Sequence, residues 1–172
     1  MRSQLLLVPA ALVLAAAPAI GLDFQTLEAG QKNLFPNATF VPLGFTLSED
    51  QLEKLKTDYE VPVMHREVKA WKVSTGGWLF LDQVYGLNDT ISYLIAITDK
   101  GVVSGIEVLV CVEGFCDVAA PEWRGQFVGK KEGKWVPKAD IKNISGSTLS
   151  AMHIAEGVKK TLAIHAKFMP KK

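Results

Sequence analysis

The sequence contains few of the residues on which metal sites and hydrolytic active sites depend. It has two cysteines and three histidines in 172 residues, and its formal net charge is +1. Such a balance gives no basic excess, so we expect no nucleic-acid partner. The histidines, His65, His153 and His165, are scattered, and neither G-x-S-x-G nor H-E-x-x-H occurs. We therefore expect no catalytic residues and no metal site.

The two cysteines lie in the segment CVEGFC, at Cys111 and Cys116. Their spacing matches neither haem attachment nor the usual zinc motifs. A straight strand would hold them about 16 Å apart, so a disulfide requires the chain to turn at Glu113 and Gly114. A disulfide and a pair of half-buried thiols both remain open as interpretations.

Only the N-terminus carries a long apolar run. MRSQLLLVPAALVLAAAPAIG begins with Arg2, continues apolar and ends in small residues, which is the layout of a secretory signal peptide. We predict a signal peptide over residues 1–21 and export to the periplasm or another extracytoplasmic space. A membrane anchor is the alternative, but the run is shorter than the roughly 20 residues that span a bilayer. Pro9 and Pro18 also interrupt it.

The remaining chain has the length of one domain. Two helices are predicted in an N-terminal helical segment, residues 22–66, over residues 24–34 and in LSEDQLEKLKTDYE. In the second, Ser48 and Gln51 have the spacing of a capping box. Residues 67–168 carry four strand-like runs, AWKV, GGWLFLDQVYG, TISYLIAITDKG and VVSGIEVLVCV, separated by turn residues. A long helix follows, so we predict an α+β fold with an antiparallel sheet of about four strands and flanking helices.

An unusual group of hydroxyls surrounds the start of that last helix, in the stretch SGSTLS. One Ser or Thr is enough to cap a helix, yet Ser145, Ser147, Thr148 and Ser150 all lie here, around Gly146. Helix N-termini present unpaired N–H groups and partial positive charge, and glycine allows close approach of a ligand. The pattern is typical of a phosphate cradle, although helix starts with surplus hydroxyls and no ligand are also common.

SGSTLS followed by a helix resembles the Ser/Thr-Gly-Ala-Thr motif of the FMN-binding domain family. This family includes the flavin subunits of the sodium-translocating NADH:quinone reductase and of Rnf-type complexes. The segments WLFLDQVYG, ISYLIAITDKGVVSGIEVL and PEWRGQFVGK, and the LFPNATF and LSEDQ stretches before them, are similar in order to a branch of small exported members. Ser147 stands where the family usually has Ala. Cys111-Val112-Glu113 replaces a usual Tyr-Arg-Glu run, and Leu87 stands where Lys is common.

The resemblance implies that FMN is attached covalently, through its phosphate, to Thr148. Ser150 is the rival acceptor. Lys130 would balance the negative charge, and an aromatic residue would cover the flavin ring, with core packing as the alternative for the aromatics. The cofactor-binding residues implied in this way are Thr148, Ser145, Gly146, Ser147, Leu149, Ser150, Trp123, Gln126, Phe127 and Lys130.

The function implied is electron transfer outside the cytoplasm, as a carrier rather than a stand-alone enzyme. An FAD:protein FMN transferase would be the partner in maturation, and a membrane or periplasmic redox protein the partner in function. The alternative is a module of the same fold that has lost its flavin and serves in binding or structure.

Overall fold

The computed structural model describes residues 25–112 and 116–170, so the predicted signal peptide lies outside the described residues. Thirteen helical and strand elements follow one another there. The strands are β1 (Phe40–Pro42), β2 (Phe45–Thr46), β3 (Glu67–Val73), β4 (Trp78–Tyr85), β5 (Thr90–Ile97) and β6 (Val103–Val110). The helices are α1 (Leu27–Leu34), α2 (Glu49–Tyr59), α3 (Pro121–Arg124), α4 (Pro137–Asp140) and α5 (Thr148–Phe168), with short 3-10 turns at Asp117–Ala119 and Gly125–Phe127.

All described strands belong to one antiparallel sheet in the order β1-β3-β4-β5-β6, and β2 also pairs with β3. The predicted α+β fold is therefore confirmed, but the sheet has six strands rather than about four. The two additional strands, β1 and β2, are only three and two residues long. They lie in the segment predicted to be helical, where Pro42 and the short lengths give no alternating pattern.

Helices cover both faces of the sheet. One face carries Phe80, Tyr93 and Ile95 and packs against α5, and α2 packs against α5 in turn. The other face carries Leu79, Leu94 and Leu109 and packs against α1. Successive side chains of a strand point to opposite faces of the sheet, and both faces are buried at β4 and β5. Their sequences are therefore nearly continuous apolar runs.

Helix α2 begins as the sequence predicted. The Ser48 hydroxyl accepts from the Gln51 N–H, and the Gln51 side chain accepts from the Ser48 N–H, which completes the capping box. This helix buries Leu52 and Leu55 and exposes its charged residues, so its single apolar stripe determines which side meets the core.

A buried polar cluster lies where α5 crosses the sheet. Tyr93 is fully buried, and its hydroxyl donates to Asp82 Oδ2 at 2.7 Å, while Lys160 Nζ contacts Asp82 Oδ1 at 2.7 Å. Burial, together with the negative charge of Asp82, raises the pKa of Tyr93 well above 10. Gly157 gives this hydroxyl its space, because a Cβ there would lie 2.0 Å from it.

The cysteine alternatives are resolved in favour of the bond. Cys111 and Cys116 form a disulfide with a Cα–Cα distance of 6.0 Å. Cys111 directly follows β6, and Cys116 directly precedes the 3-10 turn that leads into α3. The bridge therefore ties the end of the sheet to the segment that carries Trp123 and Gln126.

Candidate functional site

The hydroxyl-rich stretch forms the start of α5, the longest described helix. Thr148 is its first residue and Ser147 its N-cap. Within the described part of the chain, Ser147 makes no side-chain capping hydrogen bond to the first turn. The N–H groups at the start of a helix can bind an anion, and the dipole of this 21-residue helix adds partial positive charge there.

The hydroxyls near this helix start differ sharply in exposure. Ser145 and Thr148 are exposed, whereas Ser147 is 4% and Ser150 0% exposed. The Thr148 hydroxyl donates to the Ile144 carbonyl at 3.2 Å, a contact that a small side-chain rotation releases. Of the two residues predicted as attachment points, only Thr148 is reachable by a bulky reagent in the folded chain.

Gly146 shapes the turn that precedes α5. Its φ is +89°, in the left-handed region that favours glycine. A Cβ at this position would meet no described atom within 4 Å. The glycine is thus required by the backbone conformation rather than by crowding, and the space above the turn is open to a ligand.

A cavity of about 220 Å³ opens beside Thr148. Its wall is mainly apolar, formed by Ile141, Ala151 and Met152, and Lys138 and Lys142 stand at its rim. The volume is below the roughly 300–1,000 Å³ of typical cofactor pockets. The cavity can therefore receive part of a flat apolar ring, with the remainder exposed to solvent or to a partner.

Trp123 and Gln126 act on this site through the backbone of Lys142. Trp123 Nε1 donates to the Lys142 carbonyl at 2.8 Å, and the Lys142 N–H donates to Gln126 Oε1 at 2.7 Å. Trp123 also packs edge-to-face against Phe127, with ring centroids 5.1 Å apart. Both rings are buried in the core, and neither lines the Thr148 cavity. The two rings therefore lie behind the cavity, and Trp123 helps to fix the Lys142 backbone that leads into the motif.

Lys130 and Leu149 lie outside the cavity beside Thr148. Lys130 Nζ lies 5.6 Å from the centre of the Trp135 ring, and Trp135 lines another cavity together with Tyr59. Leu149 is 41% exposed and does not line the cavity beside Thr148. Sequence reasoning missed Lys138 and Lys142, whose only signal is their position just before the motif.

The turn between β4 and β5 lies beside the beginning of α5. His153 Nδ1 contacts the Tyr85 carbonyl, and Tyr85 and Leu87 are 59% and 63% exposed. Exposed apolar side chains thus lie close to the helix that carries Thr148. Such clusters commonly mark surfaces that contact other molecules.

The part of the chain that the structure describes offers neither a metal-binding group nor a membrane-crossing helix. Among residues 25–112 and 116–170, no three His, Cys, Asp or Glu side chains converge as metal ligands would. Over the same residues, no helix combines the length and apolar character that crossing a membrane requires.

Comparisons with known proteins show what this part of the chain is similar to. Residues 86–163, which run from the β4–β5 turn into α5 and include Thr148, match the profile of the FMN-binding domain. No curated protein matches the sequence. Among solved structures, the crystal structure of NqrC from Shewanella oneidensis is similar, with 15% identity and a TM-score of 0.49. That alignment covers 74% of this chain and 80% of NqrC.

Proposed function

We propose, because residues 86–163 match the profile of the FMN-binding domain, that the protein is an exported flavoprotein with FMN attached covalently to Thr148. Its function is to carry electrons outside the cytoplasm. The observation that carries the proposal is the accessible Thr148 hydroxyl at the start of α5, within the segment that matches the family.

The surroundings of Thr148 suit a phosphate ester. Thr148 is the first residue of α5, so a phosphate on its hydroxyl would lie at the helix N-terminus, where the helix dipole favours negative charge. Lys138 and Lys142, both exposed at the rim of the cavity, add positive charge on the other side. Ser150 lacks this access because it is fully buried. These features support Thr148 as the acceptor.

The apolar wall of the cavity suits the flavin ring. When bound, FMN supplies reversible uptake and release of electrons. Ile141, Ala151 and Met152 would pack against the part of the ring nearest the ester and exclude water from it. Trp123 and Gln126 fix the Lys142 peptide through two hydrogen bonds, which keeps this part of the wall in position.

Attachment requires a second protein, an FAD:protein FMN transferase. Thr148 Oγ1 would form the new bond to the flavin-side phosphorus of FAD, and the bond from that phosphorus to the AMP phosphate oxygen would break. AMP would leave with that oxygen, and the Thr148 hydroxyl, which donates a hydrogen bond to the Ile144 carbonyl, would lose its proton to a base or to solvent. FAD supplies the flavin, and no electron transfer is needed in this step.

Two features support export. The predicted signal peptide occupies residues 1–21, and the Cys111–Cys116 disulfide suits an oxidising compartment. A covalent bond would also retain the flavin where free FMN is scarce. The redox partner would be a membrane or periplasmic protein that docks near the exposed Tyr85 and Leu87 side chains, beside the helix that carries Thr148.

The attachment point is tested by co-expressing the chain with the transferase and measuring the intact mass. Wild type should gain the mass of FMN less one water and stay yellow after denaturation. Thr148→Ser, which keeps a hydroxyl, should retain at least part of the label, and Thr148→Ala should lose it entirely. Ser150→Ala should be labelled like wild type. Full labelling of Thr148→Ala would contradict the proposal, and loss of label in Ser150→Ala alone would move the ester to Ser150.

A further inference from the structure

A second cavity lies at the opposite end of α5 from Thr148. Its volume is about 640 Å³, within the range of small-molecule sites. His165 lines it, and the 17 residues from Thr148 to His165 correspond to about 25 Å of helix. This distance is further than a ribityl chain on Thr148 reaches, so the cavity is separate from the proposed flavin site.

The cavity is built from several distant parts of the chain. Its floor and walls are apolar, formed by Leu43, Trp78, Ala166 and Met169. The β5–β6 turn closes one side with Asp99, Lys100 and Gly101, and the loop before α4 closes another with Lys131 and Glu132. An isolated bridge between Val102 and Lys131 holds these two loops together. The cavity is therefore formed by several parts of the chain that contact one another, rather than by a single loop.

Positive charge predominates among the lining side chains. Lys72, Lys100 and Lys131 face Asp99 and Glu132, which leaves one net positive charge. Lys72 pairs with Asp99 at 2.6 Å, and Glu132 accepts from the Tyr59 hydroxyl at 2.8 Å. Within the described residues, Lys100 and Lys131 make no ion pair within 4.0 Å, so their charges are available to a ligand.

The aromatic side of the cavity is held rigidly. Trp78 is 6% exposed, and Lys72 Nζ lies 4.5 Å from the centre of its ring. His165 packs edge-on against Trp78 and Phe80, with centroids 6.1 and 6.3 Å apart. Burial, with the nearby charge of Lys72, lowers the pKa of His165 below 6.5. The imidazole is therefore neutral at pH 7 and belongs to the apolar wall.

From this arrangement we infer that the cavity is a second binding site, for a flat aromatic molecule that carries a negative charge. Its apolar body lies against Trp78, Ala166 and Met169, and its anionic group lies between Lys100 and Lys131. The site is independent of FMN attachment, because none of its lining residues belongs to the cavity beside Thr148.

The inference is tested with two probes that share one scaffold. 8-Anilino-1-naphthalenesulfonate carries the anion, and N-phenyl-1-naphthylamine lacks it. Calorimetric titration of the full chain should show one site that prefers the sulfonate. Lys100→Gln with Lys131→Gln should weaken sulfonate binding by about fivefold to tenfold and leave the amine unaffected. Lys54→Gln with Lys56→Gln on exposed α2 positions is the matched control and should bind like wild type. Equal binding of both probes by wild type, or an unchanged affinity in the first double variant, would overturn the assignment.

The location is tested separately. Ala166→Phe places a ring in the cavity and should abolish binding of both probes while circular dichroism stays unchanged. In an NMR titration, the indole N–H signal of Trp78 should shift on addition of the sulfonate, and that of Trp123 should stay in place. A shift at Trp123 instead, or retained binding in a folded Ala166→Phe chain, would contradict this location. Since neither readout depends on Thr148, failure here leaves the flavin proposal untouched, and failure of flavin attachment leaves this site untouched.

Discussion

Gly157→Ala tests the packing of α5 on the sheet. In an exposed helix interior this change stabilises by about 0.5–1 kcal/mol, because alanine has the higher helix propensity. Here a Cβ would lie 2.0 Å from the Tyr93 hydroxyl oxygen, 2.8 Å from Asp82 Oδ2 and 3.2 Å from Val84 Cγ1. The hydroxyl cannot stay where it is, so its hydrogen bond to Asp82 is lost or the helix moves away from the sheet.

The expected cost combines two effects and one offset. Overpacking of a core costs about 1–3 kcal/mol, and a lost hydrogen bond to a charged group costs about 1.5–3 kcal/mol. After subtraction of the propensity gain, Gly157→Ala should lower the free energy of unfolding by about 2–5 kcal/mol.

The same change, Gly157→Ala, is then made in a chain that already carries Tyr93→Phe. Tyr93→Phe removes the oxygen that the new methyl would strike, while Asp82 keeps its contact with Lys160. The other two contacts of that methyl are longer, at 2.8 and 3.2 Å, and a small rotation of the carboxylate relieves the first. Added to Tyr93→Phe, Gly157→Ala should therefore cost less than about 1 kcal/mol or even stabilise, through the propensity gain.

Urea denaturation of the four chains, followed by circular dichroism, completes this double-mutant cycle. The account requires a coupling free energy of at least about 1 kcal/mol between the two positions. If Gly157→Ala changes stability by the same amount in both backgrounds, or stabilises the wild-type chain, the reasoning about this contact is refuted.

Three further perturbations test other parts of the structure. Gly146→Ala puts a side chain on a residue with φ +89°, which strains the backbone by about 1–2 kcal/mol. After co-expression with the transferase, the intact mass should show less FMN labelling than in wild type. Equal labelling would contradict a role for this turn. The pKa of His165 is lowered from 6.5, so its neutral form stabilises the fold above pH 6.5, and this stabilisation is lost as the pH falls through the lowered pKa. Below about pH 6.5, the melting temperature of wild type should therefore fall more steeply than that of His165→Asn. Parallel curves for the two proteins would argue against this effect. Trp123→Phe removes the hydrogen bond to the Lys142 carbonyl and should lower the free energy of unfolding in urea by about 1 kcal/mol; an unchanged midpoint would mean that this contact is not formed.

The central strands could be predicted because their sequences alone carry the signal. β4 and β5 each have eight residues, are rich in β-branched and aromatic side chains and end at turn residues, as buried strands do. β1 and β2 could not be predicted in this way. They pair with β3 at the sheet edge, and only the position of β3 in three dimensions makes their short segments strands.

The motif of the site could be predicted from the sequence, but the exposure of its residues and their contacts could not. The SGSTLS stretch located the start of α5, yet only the fold shows that Thr148 is exposed and Ser150 fully buried. The contact of Trp123 with the site is made through the backbone of Lys142, which leaves no trace in the pattern of side chains. Similarly, the spacing of Cys111 and Cys116 permitted either state, because the path of the chain between them decides whether they meet.

The central claim is the ester at position 148, and one measurement tests it most directly. The protein is purified from its natural host and digested, and the peptide that contains the start of α5 is sequenced by tandem mass spectrometry. The account predicts that FMN is found on Thr148 and that Ser145, Ser147 and Ser150 are unmodified. An unmodified peptide from a host that contains an active FAD:protein FMN transferase would contradict it.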